Sequence, residues 1–220
     1  MYCYEYVEGK MMINAWKDLS EQERISLCEE LGKFHAEFEN ALSKEEIQAL
    51  GLEIDTSTDL HKQTKEEIEI FLNDTQIPEK YKIIIKQVCG VFEKNKTEAS
   101  FGLCHNDSHH ENIIIHKGKL ACVIDFGDTE YGNIYNEFTR YVQDYPNYFE
   151  IIVETYEKLS NKKLSRTRLI TQTVLNAVDD IRSDYDKDGR EEIIKQYIHW
   201  FAKFTPNPPF AHQLKKNLVL

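Results

Sequence analysis

The sequence predicts a mainly helical α+β protein with one small β-hairpin near its centre. Two patterns carry this prediction. Apolar residues recur at helical spacing along most of the chain, and two β-branched runs flank the turn sequence Lys117-Gly118-Lys119, which is typical of a hairpin. The 220 residues suit one domain of moderate size and contain no internal repeat.

Local start and stop signals place the helices. Ser20 with Glu23, and Ser43 with Glu46, form the capping-box pattern that opens a helix, and Pro78 suits the first turn of another. The predicted helices span about residues 20–42, 43–50, 64–73, 78–93, 136–145, 148–159, 166–183 and 191–204, and the predicted strands span 112–116 and 120–125. Residues 53–60 are expected to form a loop, and residues 2–9 an extended segment that ends in a glycine turn.

Composition excludes several classes of function. The formal net charge of −11 argues against a nucleic-acid partner, which needs a basic surface, and suits a small cationic ligand. No segment has the apolar length of a membrane span or the features of a signal peptide. The five cysteines show no paired spacing, which favours reduced thiols. We therefore predict a cytoplasmic protein without a membrane or nucleic-acid partner.

The most informative stretch surrounds the hairpin. It contains a His-x-Asp-x4-Asn pattern formed by His105, Asp107 and Asn112, and an Ile-Asp-Phe-Gly sequence with Asp125 and Gly127 after the second strand. The hairpin is expected to bring Asp107 and Asp125 together. A lone Asp-Phe-Gly is weak evidence, but residue types, order and strand context all agree here.

These residue types match the needs of phosphoryl transfer. A carboxylate must accept or orient the proton of the attacking hydroxyl, and Asp107 suits this role. Mg²⁺ prefers oxygen ligands, which Asn112 and Asp125 supply. His105 belongs to the same catalytic set and is expected to support the loop by hydrogen bonding. Gly127 is expected to let the backbone turn sharply after Asp125.

The stretch from Cys104 to Phe138 resembles the aminoglycoside phosphotransferase and choline kinase superfamily, and is most similar to aminoglycoside 2″-phosphotransferases. Weaker similarity extends to a hinge at Tyr6-Val7-Glu8-Gly9 and to late helical segments. The resemblance implies the large C-terminal lobe of a protein-kinase-like fold, with residues 1–9 as the hinge segment and 10–220 as the catalytic and substrate lobe.

The resemblance also implies the roles of the site. Asp107 would be the catalytic base, Asn112 and Asp125 the magnesium ligands, and ATP or GTP the co-substrate. The purine would bind at the hinge, and the amino groups of the substrate at acidic side chains. The residues assigned to these two functions are Tyr4, Tyr6 and Val7 for the nucleotide, and Glu137, Asp179, Asp180 and Asp184 for the substrate.

The chain departs from the family's pattern in two places. Glu137 stands where the family commonly has an Asp that follows an Asp-Pro pair, and Ser108 stands where it often has an aromatic or apolar residue. In addition, no glycine-rich phosphate loop or strand lysine precedes the hinge, so the small β lobe is predicted to be missing. Three explanations fit this pattern: the chain is a fragment of a longer enzyme, the small lobe is supplied in trans, or catalysis has been lost.

The sequence is compatible with three kinds of function. The first hypothesis is a kinase of a small amine-bearing molecule; the others are a non-catalytic lobe that binds a cationic ligand, and an interaction module. The exposed hinge edge is predicted to pair with a missing N-terminal lobe or with a second copy of the chain. A zinc site among His105, His109, His110 and His116 is the weaker interpretation, because no cysteine or carboxylate has ligand spacing.

Overall fold

The computed structural model describes residues 6–96 and 98–178. These residues form two compact units, one from residues 6–56 and 100–163, the other from residues 57–99 without 97 and from 164–178. The described helices are α1 (Met12–Ala15), α2 (Glu21–Phe38), α3 (Lys44–Ala49), α4 (Lys62–Asn73), α5 (Glu79–Asn95), α6 (Tyr135–Asp144), α7 (Phe149–Ser160) and α8 (Arg166–Asn176). The strands are β1 (Lys10–Met11), β2 (Glu53–Ile54), β3 (Phe101–Cys104), β4 (Ile113–His116), β5 (Lys119–Val123) and β6 (Glu130–Asn133).

Helix α2 starts where its capping residues predict. The Ser20 side chain accepts a hydrogen bond from the Glu23 backbone, and the Glu23 carboxylate accepts one from the Ser20 N–H at 2.8 Å. Leu27 and Leu31 are fully buried on its inner face. Gly32 allows the backbone of α2 to approach α7 closely, because a methyl group there would lie against the Ile152 carbonyl.

The predicted hairpin is confirmed and is one part of a larger β structure in the first unit. Strands β4 and β5 pair antiparallel through a turn in which Lys117 and Gly118 have φ values of 50° and 76°. Strand β1 adds to the other edge of β4. A second sheet has the order β2-β6-β3, with β2 parallel and β3 antiparallel to β6.

The expectation of a single hairpin was therefore wrong. Strands β1, β2, β3 and β6 are two to four residues long, and part of the loop expected at 53–60 forms β2. Their backbone groups pair with distant partners; Leu103, for example, pairs with Tyr131. Such pairing overrides weak local preference.

The second unit is helical. On α5, the predicted apolar face is buried, including Ile84, Val88 and Phe92. Arg168 on α8 is also fully buried; it donates to the Lys96 and Thr58 carbonyls, the second at 3.2 Å. No helix in the described part of the chain is long and apolar enough to cross a membrane.

The mainly helical α+β fold class is as predicted from the sequence. The helix expected at 191–204 lies outside the described residues, and so do residues 179–183 of the helix expected at 166–183, of which α8 forms residues 166–176. The proposed boundary between a hinge at 1–9 and a lobe at 10–220 remains a prediction.

Candidate functional site

The β4–β5 hairpin holds the two predicted metal ligands at one end. Ile113, directly after Asn112, is paired with Val123, two residues before Asp125. The Ile124 N–H donates to the Asn112 carbonyl at 2.9 Å, which adds one hydrogen bond to the pairing of β4 and β5. Asn112 and Asp125 therefore flank the same end of the hairpin.

Asp107 lies next to Asn112. The Asn112 side-chain amide donates to the Asp107 carboxylate (Nδ2 to Oδ2, 2.8 Å) and to the Asp107 backbone carbonyl at 2.9 Å. The other carboxylate oxygen of Asp107 is 3.5 Å from Nε2 of His109. The Asp107 side chain remains 33% exposed, so its carboxylate is accessible as well as oriented.

His105 joins the loop that carries Asp107 to the segment between strand β5 and Asp125. Its ring is fully buried, with Nε2 3.0 Å from the Ile124 carbonyl and Nδ1 accepting from the Asp107 N–H at 3.2 Å. The Phe126 ring packs 4.6 Å from the imidazole, centroid to centroid. Both ring nitrogens of His105 thus contact backbone, an arrangement that supports the loop.

Two residues of the site have left-handed backbone conformations. Asn106 has φ 63° and Asp125 has φ 64°, values that Asn and Asp tolerate better than most side chains. The Asn106 side chain also donates to the Asp128 carbonyl at 3.2 Å, a second tie between the two loops. Gly127 does not have a positive φ, so the sharp turn that was expected there occurs at Asp125 instead.

Glu137 lies behind the loop rather than in an open cleft. Its side chain is 2% exposed; Oε1 accepts from the Asn106 N–H at 2.6 Å, and Oε2 is 3.1 Å from Nδ1 of His35. Burial alone would raise the pKa of Glu137, but the hydrogen bond and charge of His35, with backbone N–H groups of the loop, hold it below its ordinary value. This placement differs from that expected of a substrate ligand.

The predicted nucleotide residues are only partly described. Tyr6 is 84% exposed and Val7 is 41% exposed, while Tyr4 lies outside the described residues. A cavity of about 460 Å³ adjoins this segment, lined by Tyr6, Gly9 and the hairpin turn among others. Its lining includes none of the residues predicted to be catalytic or to bind metal, so the cavity is separate from the Asp107 site.

The acidic residues assigned to the substrate, Asp179, Asp180 and Asp184, also lie outside the described residues. Within the described part of the chain, no group of three or more His, Cys, Asp or Glu side chains is arranged to hold a metal ion. The loop histidines instead contact carboxylates, as in His110 to Asp144 at 3.2 Å.

The sequence does not single out two buried residues behind the loop, His35 and Tyr141. The Tyr141 hydroxyl is 2.9 Å from Nε2 of His35, whose Nδ1 lies 3.1 Å from Glu137. His35 is on α2, far from the motif in sequence, and no local pattern distinguishes it from other helical histidines.

The sequence matches one protein family, and the structure resembles several solved structures. The model of the Phosphotransferase enzyme family matches residues 1–167. No curated protein matches the sequence. The GDP and kanamycin complex of aminoglycoside 2″-phosphotransferase IIIa is similar, with a TM-score of 0.65 at 14% identity over 98% of this chain and 70% of that one.

Two further structures are similar. One is the streptomycin and ATP complex of aminoglycoside 2″-phosphotransferase IIa, with TM-score 0.56 and 18% identity over 89% of this chain and 70% of that one. The other is a macrolide 2′-phosphotransferase of type I, with TM-score 0.59 and 13% identity over 86% and 62%. This chain thus spans less than two thirds of the macrolide enzyme. At these identities the structures establish a shared fold.

Proposed function

Because this chain belongs to the phosphotransferase enzyme family, we propose that it transfers the γ-phosphate of ATP or GTP to a hydroxyl group of a small, amine-bearing molecule of the aminoglycoside kind. The observation that carries the proposal is the set of hydrogen bonds that joins Asp107, Asn112 and the strand before Asp125. A purely structural role would not require a carboxylate that stays one-third exposed while it is held by a buried asparagine.

Asp107 acts on the attacking hydroxyl. One of its oxygens is fixed by Asn112 at 2.8 Å, and the buried imidazole of His105 accepts from its backbone N–H. A carboxylate that is already held in place accepts or orients the hydroxyl proton with no further loss of conformational freedom. Such positioning of the reacting groups is a main contribution of the protein to phosphoryl transfer.

The donor atoms present fit Mg²⁺. The Asn112 amide nitrogen is occupied by Asp107, which leaves its carbonyl oxygen as a ligand, and the Asp125 carboxylate is exposed at the same end of the hairpin. One or two carboxylate or carbonyl ligands, completed by phosphate oxygens, are the usual protein contribution to such a site. When bound, Mg²⁺ neutralises phosphate charge.

The nucleotide and substrate assignments follow from family membership. The nucleotide would meet the exposed segment at Tyr6 and Val7, and similar structures contain ATP or GDP. Asp179, Asp180 and Asp184 remain the proposed contacts for substrate amino groups. For Glu137, burial favours a role in positioning the loop over contact with substrate.

The test is transfer of labelled γ-phosphate from ATP and from GTP, with Mg²⁺, to a panel of aminoglycosides and of neutral sugars. We expect transfer to amine-bearing acceptors, and a loss of about 10²–10⁴-fold in Asp107→Asn. Asp74→Asn is the control, because it makes the same chemical change at the C-terminal cap of α4 in the helical unit, where the Asp74 carboxylate also accepts a backbone hydrogen bond.

Absence of transfer from either nucleotide to every acceptor would refute the proposal. In that event, calorimetry that shows aminoglycoside binding without nucleotide would support the non-catalytic ligand-binding lobe. Equal activity in Asp107→Asn and the parent would refute the role of Asp107 specifically.

A further inference from the structure

The side chain of Asn106 links two loops of the site. Asn106 directly precedes Asp107 in the loop that we call the catalytic loop, and its Nδ2 donates to the Asp128 carbonyl at 3.2 Å. Asp128 follows Asp125 by three residues in the exposed segment 124–128, which we call the metal loop. The bond from Asn106 therefore joins the loop of the proposed base to the loop of a proposed Mg²⁺ ligand.

The start of the metal loop is held by a separate bond. There the Ile124 N–H donates to the Asn112 carbonyl at 2.9 Å, at the end of the hairpin. The far end of the metal loop, at Asp128, is the part that Asn106 fastens. Asp125 thus lies between two attachments to the catalytic loop and the residue that ends it.

The backbone of Asn106 is fixed independently of its side chain. Its φ is 63°, and its N–H donates to the buried Glu137 carboxylate at 2.6 Å. Glycine adopts a left-handed conformation without strain and would keep the same backbone bond. The conformation of this residue alone therefore does not require asparagine.

The side-chain amide of Asn106 is present at an energetic cost. Its Oδ1 is buried, and no hydrogen bond reaches it from the part of the chain that the structure describes. A buried polar atom without a partner is unfavourable, and glycine would remove that cost. Glycine cannot supply an N–H donor to the Asp128 carbonyl, so this bond accounts for an asparagine at the position.

We propose that Asn106 is a positioning residue whose side-chain amide fixes the metal loop to the catalytic loop and so sets the place of Asp125 relative to Asp107. The consequence for Mg²⁺ rests on the proposed phosphotransferase function, whereas the link between the loops does not. The two parts have separate readouts.

The test uses Asn106→Gly and Asn106→Asp in the full chain. Glycine keeps the backbone conformation and the bond to Glu137 but lacks the donor, whereas aspartate keeps the side-chain size and places a carboxylate against the Asp128 carbonyl. Amide hydrogen exchange followed by NMR, without metal or nucleotide, reports Thr129, whose N–H donates to the Phe126 carbonyl at 3.3 Å in the turn around Asp128. We expect Asn106→Gly to raise exchange of this amide about three- to tenfold, in line with the loss of one hydrogen bond, and Asn106→Asp to raise it further.

Two controls separate this effect from general destabilisation. Exchange of the Ile124 amide, which is held at the hairpin end, should change by less than about twofold in both variants. Asn161→Gly makes the same substitution at an exposed residue with φ 57°, at the C-terminal cap of α7, and should leave Thr129 exchange unchanged. In the phosphotransfer assay, Asn106→Gly should raise the Mg²⁺ concentration for half-maximal activity about three- to tenfold, while KM for the acceptor stays within about twofold.

Unchanged Thr129 exchange in Asn106→Gly would overturn the link, and so would equal acceleration at Ile124 or acceleration in Asn161→Gly. If one Asn106 variant does not fold, the other provides the same test. Faster Thr129 exchange with an unchanged Mg²⁺ requirement in an active enzyme would overturn the positioning role. Faster Thr129 exchange together with no phosphotransfer by the parent chain would refute the proposed function and leave the link supported.

Discussion

Helices α2 and α7 pack closely at Gly32, and this contact predicts how much a larger side chain there destabilises the fold. A methyl group at this position would lie against the Ile152 carbonyl oxygen and 2.7 Å from Cβ of Thr155, closer than the 3.0 Å limit that real Cβ atoms respect. The obstacle is the backbone of α7, which moves only if the helix moves. Overpacking of this kind costs up to about 3 kcal/mol, against a gain of about 1 kcal/mol in helix propensity. Gly32→Ala should therefore destabilise the protein by about 2 kcal/mol.

Gly90 provides the matched control. It lies within α5 and no atom is found within 4 Å of an added methyl group there. Gly90→Ala should therefore show only the propensity gain, a stabilisation of about 0.5–1 kcal/mol.

Urea unfolding followed by circular dichroism measures both variants. With a slope of about 2 kcal/mol per molar, Gly32→Ala should lower the midpoint by about 1 M, and Gly90→Ala should raise it by less than about 0.5 M. A Gly32→Ala variant as stable as the parent would refute the described packing of α2 on α7. Destabilisation by Gly90→Ala would refute the assignment of free space at that position.

Three other predictions concern titration, thiol reactivity and capping. Burial raises the pKa of Glu137, but the hydrogen bond from His35 holds that pKa below its ordinary value of 4.5. The charged Glu137 carboxylate therefore stabilises the fold fully above pH 4.5, and this stabilisation is lost as the pH falls below that value. Glu137→Gln should therefore flatten the decline of Tm below pH 4.5. Burial raises the pKa of Cys28 to about 12, so iodoacetamide at pH 8 should label the half-buried Cys122 before Cys28, as measured by mass spectrometry. Ser43→Ala should cost about 1 kcal/mol in urea unfolding, because the side chain caps α3, whereas Ser43→Asp should retain most of that stability.

Each of these has a clear contrary result. A Glu137→Gln profile that parallels the parent below pH 4.5 would show that the carboxyl group is not preferentially charged in the native state. Labelling of Cys28 ahead of Cys122 would contradict its burial. Equal stability of the parent and Ser43→Ala would mean that the cap on α3 is not formed in solution.

Features that depend on near neighbours in sequence were predictable. The Ser20 and Glu23 capping box forms because its partners are three residues apart. The hairpin forms at Lys117-Gly118 because glycine readily adopts the positive φ that a tight turn requires. Asn112 and Asp125 directly flank the two strands of this hairpin, so their approach at its end also follows from local sequence.

Features that depend on distant partners were not predictable. Strand β6 has few β-branched residues and is a strand because β2 and β3 pair with its two edges. The resemblance assigns Glu137 to substrate binding, and only the fold shows that it is buried between His35 and the Asn106 N–H. The left-handed conformation of Asp125 was likewise not predictable, because Gly127, two residues later, is the residue that adopts a positive φ most easily.

The proposed site is tested most directly by locating the divalent cation. Mn²⁺, used as a paramagnetic substitute for Mg²⁺, broadens NMR signals of nearby nuclei when added with ATP or GTP. We expect the signals of the Asn112 side-chain amide and of the Asp125 backbone amide to broaden first, and Asp125→Asn to weaken the effect at least tenfold. Broadening centred elsewhere, with these two signals unaffected at saturating nucleotide, would contradict the assignment of this hairpin end as the catalytic metal site.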